Sequence, residues 1–217
     1  MMEQLVNILV GGPMTEWPEN LIKGEIKGTW IAVDKGAIRL LNMGITPKIA
    51  VGDFDSTFDS EMDIVKKEIK QIELFPPEKD FTDTQIGVMT AIKHFPNSKI
   101  DIYGATGGRM DHLLANLFLP LDPQFKDVIK QINIIDNKNT IKFYTPGEYE
   151  IIKEVDKKYL AFVNLTSVTG LTLPDEKYTL QNFNSSYPVS WASNEFSKEI
   201  NHFSFEKGIM AVIQSKD

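Results

Sequence analysis

The feature that most limits what this chain can become is an alternation of short apolar runs with longer, helix-like segments. Apolar runs fall at residues 6–10, 30–33, 49–51, 72–75 and 100–103, and helix-like stretches at 36–42, 60–70, 83–94 and 110–119. Each apolar run stops at a turn former: Gly11-Gly12-Pro13, Asp34, Gly52-Asp53, Pro76-Pro77 and Gly104. Parallel strands need a crossover between them, usually a helix, so this rhythm predicts an α/β domain with a mostly parallel sheet flanked by helices. Open sheets of this kind bind ligands beyond the carboxyl ends of their strands, where the Asp and Gly clusters fall.

The rhythm changes after about residue 125. Short runs at 131–135, 140–143, 148–152, 160–163, 171–173, 191–192 and 208–213 are broken by turn residues, including Asp136-Asn137-Lys138-Asn139 and Pro146-Gly147. Residues 137–139 read as a hairpin turn. The second half is therefore expected to be an all-β antiparallel sandwich. The division predicts an α/β domain over 1–126 and a β-sandwich over 127–217, the boundary lying near Asp122-Pro123.

Composition removes several classes of function. A formal net charge of −7 argues against a nucleic-acid binder, which needs a basic surface, so an anionic substrate must be held by a few placed cations or by metal. With no cysteine, disulfides, thiolate catalysis and Cys-based zinc sites are excluded. The start, Met1-Met2-Glu3-Gln4-Leu5, shows no basic leader, and no apolar stretch approaches the ~18 residues of a membrane-crossing helix. A soluble, cytoplasmic protein is expected.

Three junctions carry chemistry. Val51-Gly52-Asp53-Phe54-Asp55-Ser56 presents two carboxylates, Asp53 and Asp55, as hard oxygen ligands for a magnesium ion that carries phosphates. Lys79-Asp80-Phe81-Thr82-Asp83 adds a lysine able to meet a phosphate as a point charge, and Asp83 as a third carboxylate or as a partner of the helix dipole. Thr82 and Gln85 fit a capping box at that helix start. In Gly104-Ala105-Thr106-Gly107-Gly108-Arg109-Met110-Asp111-His112, a glycine turn runs into a helix start suited to an anion, with Arg109 adding a fork of donors. Asp111 follows as metal ligand, proton acceptor or helix cap. The Gly-Lys-Ser/Thr ending of a P-loop is missing. Two other readings stay open: Asp53-Phe54-Asp55-Ser56-Thr57 also fits the Asp-x-Asp-x-Thr pattern of haloacid-dehalogenase-like phosphatases, whose first Asp is a nucleophile, and the chain suits a nucleotide-sensing or carbohydrate-binding module without turnover.

With these stretches in place, the chain resembles the bacterial thiamine pyrophosphokinase (thiamine diphosphokinase) family along essentially its whole length. The resemblance rests on Asp34-Lys35-Gly36-Ala37 and the three junctions above, then Thr169-Gly170-Leu171-Thr172-Leu173, Ser193-Asn194-Glu195-Phe196 and Phe203-Ser204-Phe205-Glu206-Lys207-Gly208, in that order. It implies transfer of the β,γ-diphosphoryl group of ATP to the thiamine hydroxyl, giving thiamine diphosphate and AMP, in a magnesium-dependent homodimer with its active site where the subunits meet. It further implies magnesium ligands at Asp53, Asp55 and Asp83; nucleotide and phosphate contacts at Asp34, Lys79, Asp80, Thr106, Gly108, Arg109 and Asp111; and thiamine contacts at Ser193, Asn194 and Trp191. Asp111 and Asp80 are the candidates for accepting the hydroxyl proton.

Overall fold

The computed structural model describes residues 4–217 apart from positions 56, 77 and 79. The chain divides into two compact units: residues 1–119 with 134–137, and residues 120–133 with 138–217.

In the first unit the strands are β1 (Leu5–Leu9), β2 (Thr29–Val33), β3 (Ile49–Gly52), β4 (Ile72–Leu74) and β5 (Lys99–Tyr103), and the helices are α1 (Glu19–Ile22), α2 (Gly36–Asn42), α3 (Asp59–Glu68), α4 (Asp83–His94) and α5 (Met110–Phe118). The sheet runs β5-β1-β2-β3-β4 with every pair parallel. Residues 134–135, the end of a further strand, β6 (Ile132–Ile135), lie beside β5. β1, β2, β3 and β5 are buried at nearly every position, as strands covered on both faces must be. One face carries Leu9, Ala32 and Ala50 in a cluster with Leu40 of α2 and Val65 of α3. On the other, α4 comes so close at Gly87 that an added Cβ would touch Ile8 and Val33 at 3.0 Å. The β1–β2 connection is filled by a 3-10 turn (Met14–Glu16) and the one-turn α1, which its polar sequence did not announce.

The second unit is antiparallel. One sheet runs β12-β9-β14-β7 (Ser190–Trp191, Tyr159–Asn164, Met210–Ser215, Asn139–Tyr144), the other β11-β10-β13-β8 (Leu180–Ser185, Val168–Leu173, Ile200–Phe205, Gly147–Ile152). Their inner faces share a core of Leu160, Phe162, Met210 and Val212 with Ile151, Leu171, Leu173, Phe203 and Phe205. β11 and β13 lie outside the apolar runs read from the sequence. β11 is mostly exposed and polar, while β13 alternates Asn201, Phe203 and Phe205 inward with Ile200 and His202 outward, so no continuous apolar run marks it.

Candidate active site

The strand order makes β1 the switch point: the chain moves from β1 outward through β2, β3 and β4, then returns to β5 on the other side. A crevice opens at the carboxyl ends of strands at such a point. Here a cleft of about 320 Å³ is lined by residues 10–13 after β1, residues 104–106 after β5, Gly108, Arg109 and His112 at the start of α5, and Asp83 and Thr84 at the start of α4. Its floor is main chain: Gly12 N–H donates to Gly104 C=O at 2.8 Å, and a Cβ on Gly12 would stand 2.1 Å from that oxygen. Asn116, buried in α5, donates to Ala105 C=O at 2.8 Å, and the Thr106 hydroxyl donates to Asp136 at 2.7 Å, so side chains outside the glycine run fix its course.

Of the residues singled out from the sequence, Asp83, Thr106, Gly108 and Arg109 meet in this cleft. Asp83 is the first helical residue of α4, behind a complete capping box: Thr82 Oγ1 accepts from Gln85 N–H, and Gln85 accepts from Thr82 N–H at 2.8 Å. Arg109 and Asp111 hold one another, with Nε to Oδ1 at 3.1 Å and Nη2 to Oδ2 at 2.5 Å. The hydrogen bond from Arg109 draws the Asp111 carboxyl below its ordinary value, which makes it a weaker proton acceptor. Asp111 itself does not line the cleft. Lys79 lies outside the described residues, as does Ser56; Asp80 is exposed.

The acidic junction stands one and two strands away, at the ends of β2 and β3. Its conformation is costly. Asp34 (φ 48), Gly52 (φ 144) and Phe54 (φ 56) all occupy the region that L side chains avoid, and such residues persist only where the surroundings over-determine them. Asp34 accepts Phe54 N–H at 3.0 Å, and a Cβ on Gly52 would fall 1.8 Å from Asp34 Oδ1, so only glycine lets that carboxylate lie across the turn. The Phe54 ring is buried in the sheet–helix core. It pins the loop from inside, leaving Asp53 half-buried and Asp55 exposed on either side of it. Asp53 Oδ1 also accepts Asp55 N–H at 3.1 Å. Phe54 escaped the sequence reading because a phenylalanine between two aspartates reveals neither its backbone angle nor its burial.

Among the described residues no three His, Cys, Asp or Glu side chains converge as a metal cage. Magnesium does not require one. It is commonly held by one or two carboxylates and fills its shell with water and phosphate oxygens, a role that the hard, paired donors of Asp53 and Asp55 suit.

In the second unit, Ser193 is exposed and again strained, at φ 59. Asn194 beside it is 2% exposed and fully engaged: its Oδ1 accepts Tyr178 N–H at 2.8 Å, and its Nδ2 donates to Tyr178 C=O at 2.8 Å. Its amide shapes the turn that presents Ser193. Trp191 is half-buried, edge-on to Phe183 at 5.4 Å. Two residues before Tyr178, and bridged to Phe196, Glu176 is 4% exposed, its Oε1 has no hydrogen-bond partner, and burial pushes its carboxyl up to about 7.

Fold and cleft together define an α/β protein with a switch-point crevice, joined to an antiparallel sandwich. The catalytic-domain model of thiamin pyrophosphokinase matches residues 25–134, and the family's vitamin B1 binding domain matches residues 148–210. A thiamine pyrophosphokinase of Bacillus subtilis is 38% identical over 214 residues, covering 98% of this chain and 99% of the relative. Solved structures agree: a protein from Lactobacillus plantarum (48% identity, TM-score 0.90) and a thiamin pyrophosphokinase family protein from Enterococcus faecalis (43%, TM-score 0.92) each match over 99% of both chains. This chain belongs to the thiamine pyrophosphokinase family.

Proposed function

We propose that the protein is a thiamine diphosphokinase, transferring the β,γ-diphosphoryl group of ATP to the hydroxyl of thiamine and releasing AMP. The observation that carries this reading is the switch-point cleft, where Arg109, Asp83, Thr106 and a main-chain floor converge in a chain of this family. Attack between crowded anions is chiefly a problem of neutralising and aligning charge. In this reading Arg109 and the amides at the start of α5 hold phosphate oxygens, which requires Arg109 to exchange its bond to Asp111 for one to the nucleotide. Asp34 keeps the acidic loop in place, and Asp80, in the β4–α4 connection, and Lys79 beside it in the sequence are the further nucleotide contacts of this reading. Asp53 and Asp55 are the residues to hold magnesium, with Asp83 a third candidate from its place in the cleft; the ion when bound would supply positive charge to the phosphates and lower the barrier to displacement. Asp80 and Asp111 are the candidates for accepting the hydroxyl proton, Asp111 once Arg109 has left it for the nucleotide.

The reading assigns nucleotide chemistry to residues 1–126, and thiamine binding and dimerisation to 127–217. Ser193 and Trp191 meet thiamine in a cytoplasmic homodimer, and Asn194 acts through the turn it braces. The test is a product assay with ATP, thiamine and magnesium, followed by phosphorus NMR with and without chelator. Thiamine diphosphate and AMP, lost with chelator, are expected. ADP with thiamine monophosphate would mean single phosphoryl transfer, and inorganic phosphate alone would favour the phosphatase.

A further inference from the structure

The glycine wall of the cleft is held from behind by a residue that the sequence motifs do not single out. Arg39 lies in the last turn of α2. Its Nη1 donates to two consecutive main-chain carbonyls, Gly11 at 3.1 Å and Gly12 at 2.8 Å, and its guanidinium stands 5.7 Å from the centre of the Trp17 ring, itself 2% exposed. The two carbonyls belong to the loop whose Gly12 N–H caps Gly104, and both glycines line the cleft. Residues 10–13 need such a brace. A Cβ on Gly11 would meet nothing within 4 Å, so packing does not confine that peptide, and glycine retains more backbone freedom than any other residue. The same short helix begins two residues after Asp34, and its first residue, Gly36, is pressed so tightly on β1 that a Cβ would fall 2.4 Å from Leu9 C=O. α2 is thus preceded by the carboxylate that orders the acidic loop and carries, in its last turn, the guanidinium that orders the glycine loop.

We propose that Arg39 is a positioning residue for the nucleotide: it sets the Gly11–Gly12 peptides that form one wall of the cleft, and through α2 couples that wall to the Asp34-braced acidic loop. Resting on the reading of this cleft as the ATP site, the proposal has a specific consequence. Loosening Arg39 weakens the nucleotide side and spares the thiamine side. Lysine substitutes only in part: an ammonium can donate to both carbonyls as the single Nη1 does, but it lacks the flat guanidinium that stands over the Trp17 ring.

The experiment compares wild type, Arg39→Lys and Arg39→Ala by steady-state kinetics in each substrate, by thermal unfolding, and by titration with a non-hydrolysable ATP analogue. For Arg39→Ala the KM for ATP and the analogue Kd should rise roughly 10- to 100-fold, with the KM for thiamine within about twofold, and Arg39→Lys should fall between. A lowered melting temperature with both KM values unchanged would reduce Arg39 to a structural brace and overturn the proposal. An equal rise in both KM values would overturn it too. Should Arg39→Ala not fold, Arg39→Lys must show the same split at smaller size. The analogue titration separates the two claims: a wild type that binds the analogue but makes no thiamine diphosphate refutes the function while still testing Arg39.

Discussion

The two units treat their motif residues in opposite ways. In the first, Asp55 and Arg109 keep their polar atoms near open space while neighbours, Asp34 and Thr106 among them, absorb the cost: Asp55 is exposed because Phe54 is buried, and Arg109 reaches the cleft because Asn116 and Asp136 hold the loop before it. In the second, Asn194 stands out equally but spends its amide on the backbone of Tyr178, and only Ser193 faces outward. A residue that marks a family is thus either turned outward, as Asp55 and Ser193 are, or spent as a brace, as Asp34 and Asn194 are, and its hydrogen-bond partners tell which.

The contrast breaks most readily at Asp55. Asp55→Asn should lower transfer by at least about 10²-fold, with thermal unfolding nearly unchanged; normal turnover would remove Asp55 from the site. Next comes the support beneath it. Gly52→Ala drives a methyl into Asp34 and strains a φ of 144°, so it should cost both activity and stability, on the order of 1–3 kcal/mol by chemical denaturation. The second unit supplies a sharper pair. Asn194→Ala strands the main-chain N–H and C=O of Tyr178 and should destabilise by about 1–3 kcal/mol, whereas Ser193→Ala should raise the thiamine KM at unchanged stability. Were the two variants to behave alike, the division between group and brace would fail.

The smallest effect concerns Glu176. Its carboxyl in the folded state lies near 7, above the 4.5 of an unperturbed glutamate, so the folded state binds the proton more tightly than the unfolded chain. The stability this contributes is complete below 4.5 and is lost as pH rises through about 7. Asp175 and His202 face the same region, and His202, raised by its bond to Asp175, contributes with the same sign. The informative quantity is therefore the difference between wild type and Glu176→Gln in melting temperature, which should shrink the decline between about pH 5 and pH 8.

Much of this architecture was legible in the sequence because it is local. The apolar runs that end in Gly, Asp or Pro gave the parallel strands, and Thr82 with Gln85 gave the start of α4. What stayed hidden depends on partners far along the chain. Arg39 acquires its role from carbonyls 27 and 28 residues away. Phe54 owes its conformation to a carboxylate 20 residues earlier. β13 was missed because its inward residues include Asn201, whose burial is made tolerable by bonds to the 175–177 turn and Ser197 rather than by apolarity.

The floor of the cleft, where Gly12 meets the carbonyl of Gly104, has no side chain to exchange. Any substitution at position 12 collides with backbone, and no repacking of neighbours can make room for it. A change in what this cleft prefers must therefore come from its rim, at positions such as Thr106, Arg109 and His112, because the floor offers evolution nothing to vary.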